Sequence, residues 1–317
     1  MQEIGGYFEL ELRKAKAFHE KGIPLNSGRN ALAYILKANL VSKLYVPSYI
    51  CNAVIDTIRR FNIEFEYYGL NKNLEINKDI DVKETEKILY ANYFGIKDKY
   101  ISVIIGEYQK SSLIIDNAQS FFSYPISGVD TFYSPRKFFG VPDGGYAYCN
   151  VLLGSRIPRG YSYDRCRHLV GRIDKNAERF YSEFRDNEET LSRLRMERMS
   201  RLTRKILSSI DYEFVKQRRL SNFLYLHNEL GEENMLKFQA SDISSPMVYP
   251  FFVATDNLKR KLIKNRVYVA SYWDDVMERV PKDSFEGMLT KYLVPIPIDQ
   301  RYGISEMDNI LKIINKN

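Results

Sequence analysis

The chain has 317 residues, 44% hydrophobic and 27% charged, with a formal charge of +7. That is the make-up of an ordinary soluble globular protein, long enough for one large domain or two. No apolar run approaches the roughly 20 residues of a membrane span. The opening MQEIGGYFELELRK is acidic and mixed, unlike a secretory signal, so a cytoplasmic protein is expected. Cys51, Cys149 and Cys166 lie far apart with no CxxC pair, which points to a reducing compartment rather than a disulfide frame or a zinc site.

In chain order, residues 3–20 read as an extended lead followed by a short helix. Ser27 is placed to cap a helix beginning near Arg29, with Ala31, Leu32, Ile35 and Leu36 as its apolar face. A strand over 44–46 ends at Pro47; 51–61 reads as a helix, 64–68 as a strand, and 87–93 as the next strand, ending at Gly95. Residues 101–106 fit either a helix or a strand, and 112–116 is a buried strand ending in Asp116. Strands separated by helices imply βαβ units and a parallel sheet, in which ligands sit beyond the carboxyl ends of the strands. Asp116, residues 92–95 and residues 47–51 all fall at such ends.

The stretch TFYSPRKFFGVPDGG, residues 131–145, runs from an alternating apolar segment through a Ser-Pro-Arg-Lys turn to a glycine pair, before another strand at 145–149. Lys137 therefore reads either as a lysine meeting a small molecule at a sheet edge or as a surface lysine before a hairpin. Residues 176–230 have helical periodicity. After Gly231 the texture changes to a strand over 247–253, a helix over 256–264, a strand over 267–271, an extended edge over 293–297 and a capped helix over 305–314. The expected division is a large domain over 1–230 and a small α+β domain over 231–317. Basic residues concentrate between positions 156 and 219. They fit either an anionic partner or, for the helical part with its interleaved acids, a solvated face. No helix-turn-helix, RNP or zinc-finger pattern supports nucleic acid. His19, His168 and His227 lack metal-ligand spacing, so no metal site is expected. Asp274 and Asp275, after Trp273, read as strand-end or capping residues.

Four sites line up. The turn Asn26-Ser27-Gly28-Arg29-Asn30 opens a helix, where backbone amides and the helix dipole suit a phosphate. The others are Asp116 with Gln119 just beyond it, Lys137, and the pair Gly144-Gly145. With the segments SGRNAL, YVPSYICNAV, LYANYFG, IIDNAQS, FYSPRKFFGVPDGG and the tail LVPIPIDQRYGISEMDNILKII, in this order, the chain resembles the DegT/DnrJ/StrS-type sugar aminotransferases. These are pyridoxal 5'-phosphate (PLP) enzymes of fold type I. The resemblance implies an α/β large domain with a mainly parallel sheet flanked by helices, a small C-terminal α+β domain, and a homodimer.

It also implies roles. Lys137 matches the Schiff-base lysine, with Arg136 beside it as a cation able to lower its pKa. Asp116 matches the carboxylate at the pyridine nitrogen; from the sequence alone it fits a helix cap equally. Gln119 matches the residue near the phenolic oxygen. Gly28, Arg29 and Asn30 match the phosphate turn. The chain departs from the family in three places. Phe132 stands five residues before the lysine in place of a phosphate-holding serine, which makes Ser134 a candidate substitute. Cys51 stands where an aromatic stacks on the cofactor, leaving that part to Tyr49 or Tyr93. The partner-chain motif survives only as Glu183-Phe184-Arg185. The implied reaction converts a keto-sugar nucleotide to an amino sugar with an amino-acid donor, as in surface polysaccharide synthesis. The alternative is a degenerate homologue that binds a ligand without transamination.

Overall fold

The computed structural model describes residues 4–244 and 246–316. Its centre is a seven-stranded sheet built from β1 (Ile23–Leu25), β2 (Lys43–Pro47), β3 (Glu64–Tyr68), β4 (Glu86–Ala91), β5 (Leu113–Asn117), β6 (Asp130–Tyr133) and β7 (Gly145–Tyr148). The spatial order is β1-β7-β6-β5-β4-β2-β3. Every neighbouring pair from β6 to β3 is parallel, and β7 runs against both of its neighbours. The central strands β4 and β5 are largely apolar: Ile88, Leu89 and Tyr90 in β4 and Leu113 and Ile114 in β5 are fully buried. A parallel sheet covered on both faces requires that pattern.

Between the strands lie α1 (Gly28–Asn39), α2 (Asn52–Arg60) and α3 (Asp98–Glu107). Helix α1 buries Ala31, Leu32, Ile35 and Leu36, the stripe its sequence spacing predicts, against β7 and β6. The ambiguous 101–106 segment is helical, with Ile101 and Ile104 turned inward one turn apart. After β7 come α4 (Arg167–Asp174), α5 (Tyr181–Arg193), α6 (Arg201–Ser208) and α7 (Tyr212–Leu230). The C-terminal part holds β8 (Val248–Phe252), α8 (Leu258–Lys264), α9 (Phe285–Tyr292), β9 (Leu293–Pro297) and α10 (Ile304–Asn315). Strands β8 and β9 form an antiparallel ribbon, and α7 packs against both α10 and β8.

Three features differ from the sequence expectation. Residues 4–17 form no helix. Strand β1, unpredicted, adds three residues to the sheet edge by pairing with β7. Residues 267–271 form no strand: Val267, Val269 and Tyr272 pack on the core, but β8 and β9 already pair with each other. Alternation of apolar residues reports a buried face, and a strand needs a backbone partner as well.

Candidate active site

The carboxyl ends of the parallel strands bring the candidate residues to one rim. Asp116 sits near the end of β5, and its register row runs Ala91, Asp116, Phe132, Ala147 across four strands. One carboxyl oxygen accepts the Ala118 N–H at 2.8 Å. Burial pushes the Asp116 carboxyl up from its ordinary pKa, opposed by the Lys137 ammonium and by the Ala118 N–H. The two residues singled out from sequence are therefore electrostatic neighbours, although twenty-one positions apart.

Lys137 closes a single 3-10 turn, Pro135–Lys137, that leaves the end of β6; its N–H bonds Ser134 O at 3.2 Å. Its side chain is exposed, and among the described residues nothing pairs or hydrogen-bonds with its Nζ. Arg136 turns the other way and pairs with Glu188 of α5. The turn is fixed from behind by groups the sequence reading passed over. Arg219 of α7 is buried, lies 4.5 Å over the Phe138 ring, and donates to Met247 O at 2.9 Å and to Gln300 Oε1 at 3.1 Å. Gln300 in turn donates to Phe138 O at 2.8 Å. The available signal was position: Arg219 shares the buried stripe of α7 with Val215, Asn222, Phe223 and Leu226.

The glycine turn, the lysine turn and the glycine pair converge. Ser27 Oγ caps α1 by accepting the Asn30 N–H at 3.1 Å. The Asn30 amide donates to Asn26 Oδ1 at 2.7 Å and to Arg195 O at 3.0 Å, so Asn30 builds the turn from inside. Gly28 and Arg29 lie at the partly open side of the turn. A Cβ at Gly28 would come within 3.3 Å of the Ser134 Cβ, so helix start and Ser134 share one small space. Gly145 admits no side chain at all, since a Cβ there would lie 2.2 Å from Ser27 O. Gly144 takes φ +130° and donates its N–H to Asn26 O at 2.9 Å. Asp143 before them is buried and caps α6, accepting from the Ser200 N–H and hydroxyl and from Thr203.

Gln119 is buried. Its Oε1 accepts the Phe94 N–H at 2.8 Å, while Nε2 has no partner. An unmet buried donor is costly in a closed protein. This one lies two residues beyond the Asp116 strand and wants an acceptor. Tyr49 is fully buried, its ring edge-on to Trp273 at 4.8 Å and its hydroxyl also unpaired. Phe132 is buried in the sheet core, so five residues before the lysine there is no hydroxyl, and Ser134 is the nearer one to the helix start.

The rim thus offers a helix start suited to an anion, a carboxylate suited to a protonated ring nitrogen, an amide donor for an oxygen, and an unpaired primary amine. The remaining candidates are structural. His19 is buried between Phe121 O (2.7 Å) and the Tyr148 hydroxyl (3.1 Å), with its pKa lowered to about 4 by burial. Asp275 pairs with Arg279. Among the described residues no helix is long and apolar enough to cross a membrane.

No sequence-family model matches the chain, and no curated protein matches it. Solved structures do. A sugar aminotransferase, CalS13, from Micromonospora echinospora superposes with a TM-score of 0.61 at 15% identity, over 92% of this chain and 86% of that one. NtdA from Bacillus subtilis, solved with its cofactor PMP, gives 0.63 at 14% identity over 93% and 73%. A DegT/DnrJ/EryC1/StrS aminotransferase from Brucella abortus gives 0.60 at 15% identity over 92% and 84%. The fold is that of fold type I aminotransferases. The mostly parallel sheet flanked by helices is the expected fold class, and the reversed strand β7 is an addition to it.

Proposed function

We propose that the chain is a PLP-dependent aminotransferase that converts a keto-sugar nucleotide to an amino sugar, with an amino acid as donor. The observation that carries this reading is an exposed Lys137, with no ion-pair partner among the described residues, whose charge reaches Asp116 at the carboxyl edge of the sheet, together with the Gly28 turn and the unmet Gln119 amide. The residues present fit the cofactor group by group. The α1 start with Ser134 would hold the phosphate, Asp116 the ring nitrogen, Gln119 Nε2 the phenolic oxygen, and Lys137 Nζ the aldehyde carbon.

When bound, PLP supplies an electron sink for the carbanion at the donor Cα. Lys137 Nζ would hold the aldehyde carbon at rest and, when free, would be the base that takes the donor Cα proton and passes it to that carbon. In the reverse half the same amine would deliver the proton to the sugar carbon. Asp116 keeps the ring nitrogen protonated. In the unliganded chain the Lys137 ammonium opposes the desolvation of Asp116, and a protonated ring nitrogen would take over that part. Arg219 and Gln300 hold the lysine turn in place throughout.

The nucleotide diphosphate is assigned to the basic stretch 156–172, the subunit arrangement to a homodimer, and the location to a reducing cytoplasm in keeping with three free cysteines. Phe132, in the place of a phosphate-binding serine, favours a second reading: a binding protein that retains the fold without transamination. Incubation with amino-acid donors and a panel of keto-sugar nucleotides, with PLP added, separates the two. Formation of a 2-keto acid dependent on one sugar nucleotide supports the first reading, and PLP loading with no keto acid from any pair supports the second.

A further inference from the structure

Cys51 leaves the site without the aromatic that the resemblance places there, and Tyr49, the nearest substitute in sequence, is fully buried. One of the rings packed on it comes from a segment of the C-terminal part. Trp273 lies 4.8 Å from the Tyr49 ring and 6.3 Å from the Tyr93 ring, and Tyr93 itself is near enough to feel the Asp116 charge. Tyr272, next to it, stacks on Phe94 at 6.0 Å and 19°. Tyr272 and Trp273 are the partly open rings of this patch, while Tyr49, Tyr93 and Phe94 beneath are closed off.

The segment is pinned to the loop that contains Cys51. Arg279 donates to Ile50 O at 2.7 Å, to Asn52 Oδ1 at 3.4 Å and to the Tyr67 hydroxyl at 3.2 Å, and pairs with Asp275. Residues on both sides of Cys51 are thus held by the turn that follows Trp273. The backbone of Trp273 is left-handed (φ 61°, ψ 69°), and so is that of Phe94 (φ 58°). Bulky residues rarely adopt that conformation, and two in one patch mark a place where surrounding structure holds backbone strain, a habit of ligand sites.

We propose that Trp273, backed by Tyr272, supplies the aromatic ring that packs on the pyridine ring of the bound cofactor, in place of the residue at position 51. The inference rests on the aminotransferase reading above and adds the wall that the sequence motifs lack. Its test uses the fact that Trp273 is the only tryptophan in the chain. The intact protein is titrated with PLP while three signals are followed: the visible band that borohydride fixes on Lys137, the tryptophan emission, and the quenching of that emission by acrylamide.

The expected result is that emission falls in step with the band and that acrylamide access to Trp273 drops on saturation. Trp273→Ala is expected to weaken PLP retention about tenfold, the scale of one lost ring–ring contact. Trp273→Phe should lose less, and Cys51→Phe in the alanine background should restore retention. A full band on Lys137 with unchanged acrylamide access, or wild-type retention in Trp273→Ala, overturns this inference and leaves the aminotransferase reading standing. Absence of any band overturns both. The acrylamide measurement needs no variant, so a misfolded substitution does not decide the matter.

Discussion

The strand-end rim and the 267–279 segment that lies over it are built by different means. The rim is set mainly by backbone: Asp116 is fixed by its register with Ala91 and Phe132, and Lys137 by one turn after β6 that Arg219 and Gln300 brace from behind. The overlying segment has no ladder. It is held by side chains, chiefly the Arg279 guanidinium on the 50–52 loop and the Tyr272 and Trp273 rings on Tyr49, Tyr93 and Phe94. The proposed catalytic residues sit on the ladder or one turn from it, and the proposed aromatic wall sits on a segment held by side chains.

The sharpest way to break that comparison is at the rim. Lys137→Ala should remove transamination by at least about 10²–10⁴-fold, the range for a positioned acid–base group, with thermal stability unchanged because the side chain is exposed and unpaired. Keto-acid formation and a melting curve on one sample check both halves. Asp116→Asn should cost about 10²–10³-fold in rate, the scale of one preorganised electrostatic partner. It should stabilise the unliganded fold, since burial already disfavours the charge.

His19, its ring tilted 41° to that of Tyr133 at the end of β6 with centroids 4.0 Å apart, sharpens the picture from the back of the rim. Burial lowers its pKa from 6.5 to about 4, so the unfolded chain takes up a proton that the folded chain refuses. Stability is full above pH 6.5 and is lost as pH falls from there to 4, by about 3 kcal/mol in all. Urea unfolding of wild type and His19→Phe across that window should show a steeper slope in wild type, the slope left in the variant coming in part from His168 and His227, whose pKa values burial also lowers. Gly145→Ala, where a Cβ would lie 2.2 Å from Ser27 O, should cost about 1–3 kcal/mol and loosen PLP retention. Arg279→Met, on the overlying segment, should cost about 1–2 kcal/mol and change retention more than stability, because it frees the wall and leaves the ladder intact. Equal losses from Gly145→Ala and Arg279→Met in both measurements would erase the distinction between the two regions.

The same contrast governs what was legible in the sequence. Strand β3 and the paired ends of β2, β5 and β7 could be read from apolar runs and turn residues, because a ladder strand in a buried sheet leaves that local mark. Lys137, Asp116, Gly28 and Gln119 were singled out because they fall at or near the ends of predicted elements and match motifs of the family that the chain resembles. Arg219, Trp273 and Arg279 were not. Their roles come from partners far away in sequence, such as Gln300 and Met247 for Arg219 and Ile50 for Arg279. The alternation at 267–271 suggested a strand because it records burial, and nothing local tells that the ribbon beside it is already paired.

The most direct test of the central claim is covalent capture. Purified protein is mixed with PLP, reduced with borohydride, digested, and the modified peptide located by mass spectrometry. The account predicts one stoichiometric adduct on Lys137, absent from Lys137→Ala and diminished in Asp116→Asn. No adduct, or an adduct spread over several surface lysines at the same level in wild type and Lys137→Ala, would contradict it.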